Sequence, residues 1–338
     1  MRLYFSQTFI LGCIEDGIHY YNPRQIIEAD HMKYLVSGGA GFIGSHIVEA
    51  LAQQQHEIVI LDNLFSGKVE NIQPFLKKKD ITFVRGSITD LPLLQQIFEG
   101  VEAIFHEAAI ASVQQSVLDP FKTHDVNSTG TLNVLIAARD CGVKKVVCAS
   151  SAAIYGDNPL LPKREDLIPM PLSPYAVSKL TGEYYCTVFS QLYGINTVSL
   201  RYFNVFGPRQ DPGSEYSGVI SKFIAQVKQN KPITIFGDGE QTRDFVYVSD
   251  VVSANILAME SDVQGVFNVG SGRQTSLNEL VDIMRKIAGI DIPTIYEPSR
   301  TGDIKKSFAD ISRARMRLGY APEYTVREGL ERTVSQFG

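Results

Sequence analysis

The 338-residue chain has no tryptophan, only four cysteines, no excess of basic residues and no long apolar run. Each lack removes a class of function. Cys13, Cys141, Cys148 and Cys186 show neither C-x-x-C spacing nor histidines at ligand distance, so no metal site or disulfide framework is expected. Reduced thiols in a cytoplasmic protein are the expectation instead. No stretch reaches the roughly 18 apolar residues of a membrane span, so no membrane association is expected. Lys and Arg number 32 against 37 Asp and Glu, a net charge of −5, and no basic stripe invites nucleic acid. A negatively charged substrate would have to be met by local arginines rather than by a global field. Repeats and low-complexity tracts are absent too.

What is present is an ordinary globular balance, 44% hydrophobic and 20% charged, in a chain long enough for one large domain and a smaller lobe. Residues 1–31 read as an N-terminal extension outside the core fold. Ile-Leu-Gly-Cys at 10–13 is too faint a lipoprotein signal, because its apolar stretch is short and carries Ser6 and Gln7. Met32 is a plausible natural start. From there apolar strands alternate with helices. KYLVSG (33–38), EIVILD (57–62), ITFVRG (81–86), VEAIFH (101–106), VKKVVCAS (143–150) and NTVSLR (196–201) read as strands. This order predicts an α/β fold: a Rossmann-type doubly wound parallel sheet with a smaller C-terminal substrate-binding lobe. The cofactor domain is expected over 32–202. The lobe is expected over 203–338, with segments near 243–260 (RDFVYVSD and the helix after it) returning to the main sheet.

Gly38, Gly41 and Gly44 form G-x-x-G-x-x-G between the first strand and the first helix. Glycine permits the tight turn, and the free N–H groups of a helix start suit a pyrophosphate. Alone such a turn is weak evidence. Here Asp62 ends the next strand, where a carboxylate can accept both adenosine ribose hydroxyls and would repel a 2′-phosphate. NAD is therefore expected over NADP. Tyr175 and Lys179 stand at i and i+4 in SPYAVSK, on one face of a helix, where an ammonium favours phenolate and makes tyrosine a usable general base. A lone Y-x-x-x-K is usually surface decoration; beside a dinucleotide turn it is a redox pair.

With those motifs in place, the chain resembles the extended short-chain dehydrogenase/reductase family from about Lys33 to near its C-terminus, and within it the nucleotide-sugar 4-epimerases. The matching segments are SGGAGFIGSH, LDN, HEAA, N-x-x-G-T at 127–131, SSAAIYGD, SPYAVSK, LRYFNVFGP, GDGEQTRDFVYV and RTGD. RYFNVFGPRQDP and PLLPKREDLIPMPLSPYA look most like epimerases of UDP-glucose and UDP-N-acetylglucosamine.

The resemblance implies NAD as cofactor, a UDP-sugar substrate and roles for matching residues. Tyr175 would be the base, Lys179 its partner and ribose ligand, and Ser151 the hydroxyl that bonds the sugar C4 oxygen. Gly38, Gly41, Phe42, Ile43, Asp62, Asn63, Ser66, Gly67, Ser87, Ile88, Ala108, Ala109, Asn127 and Phe203 would line the cofactor, together with Tyr175 and Lys179. Asn127 could equally be a helix cap or surface amide. Ser112, Asn204, Arg243, Arg300, Asp303 and Ser307 would meet the substrate, alongside Ser151 and Tyr175. The two arginines suit a diphosphate because the guanidinium donates in pairs. Ser307, just before Phe-Ala-Asp, takes a position where a bulky tyrosine closes the space beside the sugar C2 in some relatives.

Departures narrow the chemistry. Ala152 and Ala153 stand where related 4,6-dehydratases carry Asp-Glu and glucuronate decarboxylases a Glu, so elimination lacks its proton donor. Ser87 replaces a usual aspartate, and Ala111 takes a position that is often Gly or Lys. The reading is thus an NAD-dependent UDP-hexose 4-epimerase. A glucuronate or CDP/GDP-sugar epimerase, and a non-catalytic NAD-binding regulator on the same fold, stand as alternatives. The resemblance also implies a homodimer, since relatives pair two such helices with their mates into a four-helix interface; Leu180, Tyr184, Val188 and Leu192 on one helix and Leu132, Leu135 and Ile136 on another form apolar series that would serve it, less any residue that faces the sheet.

Overall fold

Alternate residues of each strand point to opposite faces, and both faces of this sheet are apolar. On one, Val36, Ile58, Ile60, Phe105, Val198 and Leu200 pack against a first helix layer. On the other, Leu35, Val59, Ile104 and Val146 pack against a second. Strands buried on both faces belong in a parallel sheet, and the computed structural model contains one of seven strands. It describes residues 31–211, 218–229, 231–289, 291–299 and 304–335. The expectations for the N-terminal extension, His31 apart, and for Arg300 and Asp303 lie outside the described residues.

The strands are β1 (Lys33–Ser37), β2 (Glu57–Asp62), β3 (Ile81–Arg85), β4 (Ala103–His106), β5 (Lys145–Ser151) and β6 (Asn196–Tyr202), with Gly265–Val269 at one edge. In space the order is edge strand, β6, β5, β4, β1, β2, β3, all parallel. The chain winds outward from β1 to β3, then crosses back to β4 on the other side of β1. That reversal opens a crevice at the carboxyl ends of β1 and β4, where open sheets of this kind bind ligands.

Helix α1 (Phe42–Gln53) and the helix Val248–Glu260 cover one face, through Ile47, Val48, Leu51, Val251 and Ala254. Helix α2 (Leu91–Ile97) lies on the other face. The short α3 (Val113–Leu118) and α4 (Pro120–His124) lead through a π-turn over Asp125–Thr129 into α5 (Gly130–Asp140). Helices α5 and α6 (Pro174–Tyr193) join α2 on that face, through Val134, Leu135, Cys186 and Phe189.

The return to the main sheet differs from the expectation. Phe245–Tyr247 pairs in parallel with Asn204–Phe206 as a separate two-stranded sheet, while the seventh main strand is Gly265–Val269. The cause is side-chain sorting along RDFVYV. Val246 joins the main core, but Phe245 and Tyr247 join a third cluster with Phe206, Phe223 and Leu280 that forms the lobe. Only the helix that follows packs back onto the sheet. Among the residues expected at a dimer interface, Leu135 is fully buried in the core, whereas Tyr184, Val188 and Leu192 are exposed.

Candidate active site

The crevice is built by the glycine turn. Gly38 has φ +70°, and a side chain there would stand 2.7 Å from the Ala108 nitrogen. At Gly44 a Cβ would stand 2.2 Å from the Gly38 carbonyl. Only glycine lets the turn close this tightly against the β4 loop. The N-cap of α1 is Gly41, which provides no side-chain cap, so the first amides of the helix are left for another acceptor.

Asp62 ends β2 at the same crevice. Its Oδ2 accepts the Ala40 N–H at 3.0 Å and its Oδ1 the Leu64 N–H at 2.7 Å. Burial pushes its pKa up, and the two amide donors counter this by favouring the carboxylate. Gly67 packs so near that a Cβ would lie 2.8 Å from Asp62 Oδ2.

Together these groups enclose a cavity of about 280 Å³. Gly38, Gly41, Phe42, Ile43, Asp62, Asn63, Ser66, Ser87, Ile88, Ala108 and Ala109 all line it. Gly67 supports it from behind. Phe203 is not among its walls; it is buried, its ring 6.3 Å from that of Tyr155, and its N–H donates to the Val269 carbonyl. A helix start without a side-chain cap, an oriented carboxylate and a cavity lined by both fit the diphosphate and ribose of NAD.

Beneath the cavity lies a buried polar chain. Thr131 Oγ1 donates its one proton to the Asn127 carbonyl at 2.6 Å. It must therefore accept from His106 Nε2–H at 3.0 Å, which leaves Nδ1 to accept the Ser37 hydroxyl at 2.7 Å. The ring is neutral, because burial and then the Lys179 charge push its pKa down to about 3. Asn127 is neither a cap nor a surface amide. Its side chain holds the Ile110 backbone from both ends, at 2.8 and 3.1 Å, and donates to Ser178 Oγ at 3.0 Å. Ser178 in turn donates to the Tyr175 carbonyl at 2.8 Å. The π-turn, a form common at functional sites, is what aims this amide at both partners.

Glu107 also lines the cavity. It accepts the Tyr202 hydroxyl at 2.7 Å, and its pKa is pushed up to about 7, by burial first, against the lowering effects of Tyr202 and Lys179. A carboxyl whose folded pKa exceeds its unfolded value adds stability at low pH and loses it as pH rises through about 7. Glu107→Gln keeps the acceptor for Tyr202 and removes the titration. In denaturant melts the variant should nearly match wild type near pH 4.5 and gain on it by about 3 kcal/mol at pH 8. An equal difference at both pH values would contradict this origin.

The expected Tyr175–Lys179 pair stands on α6. Ser173 caps the helix, accepting the Ala176 N–H at 3.2 Å, and Pro174 fixes the first turn. That places Tyr175 at the helix start, 9% exposed. One turn on, Lys179 Nζ donates to the Ala149 carbonyl at 2.9 Å, which holds the ammonium against the end of β5. Ser151 is the last residue of β5, and its Oγ accepts the Ala153 N–H at 3.1 Å. A second turn on, Glu183 forms a buried two-bond pair with Arg201 at 2.8 and 2.9 Å and accepts Ser150 Oγ at 2.5 Å. This pair bolts the tyrosine helix to β5 and β6. Removing one partner of such a buried pair costs about 3–5 kcal/mol.

Of the residues expected on the substrate side, Asn204, Arg243 and Ser307 gather around Thr242–Asp244. Asn204 N donates to the Asp244 carbonyl at 3.0 Å, Ser307 N to the Thr242 carbonyl at 3.2 Å, and Arg243 Nη1 to the Ile304 carbonyl at 2.6 Å. The Asp244 carboxylate, fully buried, takes donors from Ser271, Gly272 and Ala309. A second cavity, of about 740 Å³, opens beside them between Phe236, Gln241 and Lys306. Ser112 lies apart from this group; it caps α3, accepting the Gln115 N–H at 3.0 Å.

Sequence reasoning missed Glu107, Ser178, Glu183, Asp244 and Lys122. Glu183 stands one helical turn beyond Lys179 on the tyrosine helix, a spacing that points to a shared face. Asp244 follows Arg243 directly. Lys122 carried no readable signal. Among the described residues no group of side chains could hold a metal ion, and no helix is long and apolar enough to cross a membrane.

Comparison with known proteins agrees with this geometry. Residues 34–270 match the model of the NAD dependent epimerase/dehydratase family. A relative described as a putative UDP-glucose 4-epimerase of Methanocaldococcus jannaschii is 44% identical over 303 residues, covering 89% of this chain and 97% of its own. The crystal structure of UDP-glucose 4-epimerase from Thermotoga maritima with UDP-glucose superposes with a TM-score of 0.86 at 42% identity, over 90% of this chain and 98% of that one. UDP-N-acetylglucosamine 4-epimerase from Methanobrevibacter ruminantium, in complex with UDP-N-acetylmuramic acid, gives a TM-score of 0.87 at 42% identity, with the same coverage. A glycine turn with an oriented carboxylate beside it, a tyrosine–lysine helix bolted to the same sheet and matches of this extent have one reading: the chain belongs to the NAD dependent epimerase/dehydratase family.

Proposed function

We propose that this chain inverts C4 of UDP-hexoses, interconverting UDP-glucose with UDP-galactose and UDP-N-acetylglucosamine with UDP-N-acetylgalactosamine through a transient 4-keto sugar. The observation that supports it is that Lys179, on the Tyr175 helix, donates to β5 two residues before Ser151 and acts by its charge on Glu107 of the cavity wall, with alanines at 152 and 153 where elimination would need an acid. NAD, when bound, supplies the hydride acceptance and return at C4.

The chain does the rest. Ser151 holds the C4 hydroxyl and passes its proton to Tyr175. Lys179, one helical turn on from Tyr175, is its partner and the ribose ligand. On return, Tyr175 gives the proton back to the same oxygen after the sugar has turned about its phosphate bonds. Asn204 and Arg243, with Arg300 and Asp303, hold the uridine diphosphate from the lobe over 203–338, while the part over 32–202 holds the cofactor. Each turnover leaves the cofactor as it began, so no net oxidation accumulates.

The protein is tested by incubating it with UDP-glucose, UDP-N-acetylglucosamine, UDP-glucuronate and a CDP- or GDP-sugar, and separating the C4 epimers by chromatography. Conversion of both UDP-glucose and its acetamido form is expected. Conversion of UDP-glucuronate or a CDP/GDP-sugar alone would move the substrate, and none at all would favour a binding protein.

A homodimer belongs to the same reading. Leu118, Phe121 and Leu192 are 84%, 81% and 68% exposed along α3, α4 and α6, a patch too apolar to suit solvent. Sedimentation at micromolar concentration should give a dimer, and Leu192→Asp should shift it toward monomer. A monomeric wild type would overturn the interface.

A further inference from the structure

The mouth of the cofactor cavity is crossed by a contact that the chemistry above does not use. Phe65, three residues beyond Asp62, is 51% exposed, yet it stands on the cavity wall. Its N–H donates to Asn63 Oδ1 at 3.0 Å, which fixes the loop after β2. Lys122, the middle residue of α4, lines the same cavity from a separate element, and its N–H is capped by Asp119. The Lys122 ammonium lies 4.4 Å from the centre of the Phe65 ring, well within cation–π range. The two residues are 57 positions apart in the chain and rest on separate elements, so their meeting bridges the cavity rather than stiffening one loop.

Charge makes the pairing pointed. Among the described residues lining this cavity, Lys122 is the one cation, against the carboxylates of Asp62 and Glu107. A dinucleotide brings a diphosphate with further negative charge. Asp62 marks the ribose of the adenosine half, and Phe65 follows it on the same loop, so the bridge lies over that half.

We propose that Phe65 and Lys122 form a clasp across the cavity mouth that holds the adenosine end of NAD in place. An epimerase has a particular need for one. The hydride taken from C4 must return to the same sugar, and a cofactor lost midway would strand a keto sugar and a reduced dinucleotide. Exposed cation–π contacts are modest, but this one is shielded from water once a cofactor lies beneath it, where such contacts strengthen.

The test measures cofactor release and needs no sugar nucleotide, so its failure would leave the epimerase reading intact. Full-length protein is loaded with NAD and diluted into buffer with excess ADP-ribose as competitor, and retained NAD is followed by mass spectrometry. Phe65→Leu keeps an apolar side chain without a ring face, and Lys122→Met keeps the reach without the charge. Each should speed NAD release about 5- to 30-fold, the range of a shielded cation–π contact. The double variant should be no faster than about twice the faster single, because the clasp is one interaction. Release unchanged in both singles, or two effects that multiply in full, would overturn the clasp. An unaltered thermal midpoint in each variant confirms that release, not folding, is being read.

Discussion

Tyr175→Phe should lose at least about two orders of magnitude in turnover while keeping its bound NAD. The substitution removes a single oxygen. The ring stays in a site 9% exposed at the first turn of α6, still anchored by the Ser173 cap and by Ser178 on its carbonyl. Packing is preserved, so the loss reports the missing proton acceptor. Lys179 remains on the Ala149 carbonyl and the glycine cradle is untouched, which is why cofactor content should not fall. Both readings come from one preparation: epimer formation by chromatography and NAD by mass. Near-normal turnover would remove Tyr175 from the chemistry, and loss of NAD together with activity would show that the lost turnover reports cofactor binding rather than proton transfer.

Ser307→Tyr should cut turnover of UDP-N-acetylglucosamine about 10- to 100-fold and spare UDP-glucose. The added ring has several heavy atoms, about the bulk of an acetyl group. Overpacking a filled pocket costs about 1–3 kcal/mol unless the backbone can retreat. Here it is held on both sides. Ser307 N donates to the Thr242 carbonyl, the Phe308 carbonyl accepts the Lys163 N–H at 2.8 Å, and Ala309 N donates to Asp244 at 3.0 Å. With retreat blocked, and with the sugar C2 beside Ser307 as proposed, the ring would take the room an acetamido group needs. Paired assays of both substrates in wild type and variant decide it. Undetectable wild-type turnover of the acetylated sugar, or an unchanged rate in the variant, would show that Ser307 is not the gate.

The sheet was legible because its strands announce themselves. Six short apolar runs separated by helical stretches admit little but a parallel sheet, and G-x-x-G-x-x-G with Asp62 at the end of β2 marks its cofactor edge. The seventh strand, Gly265–Val269, is short, and its neighbour RDFVYV carries a louder strand signal that serves the lobe instead. What stayed hidden in the site shares one property: its meaning lies in a partner distant along the chain. Asn127 looks like any amide until the π-turn sets it against Ile110 and Ser178. Glu183 and Arg201 read as surface charges on separate elements until packing buries them as a pair. Asp244 gains its role from Ser271, Gly272 and Ala309, which no local pattern ties to it. Lys122 is an unremarkable lysine until Phe65 is seen beneath it.

The central claim is that a hydride leaves C4 and returns to the same carbon, with the chain supplying the base and the cofactor acting catalytically. UDP-glucose carrying deuterium at C4, given to the purified protein and followed by NMR, tests this most directly. The expected result is an equilibrium mixture of the two C4 epimers, each with its deuterium retained at C4 and with no accumulation of reduced cofactor. Deuterium washed out into solvent, or no second epimer at all, would contradict it.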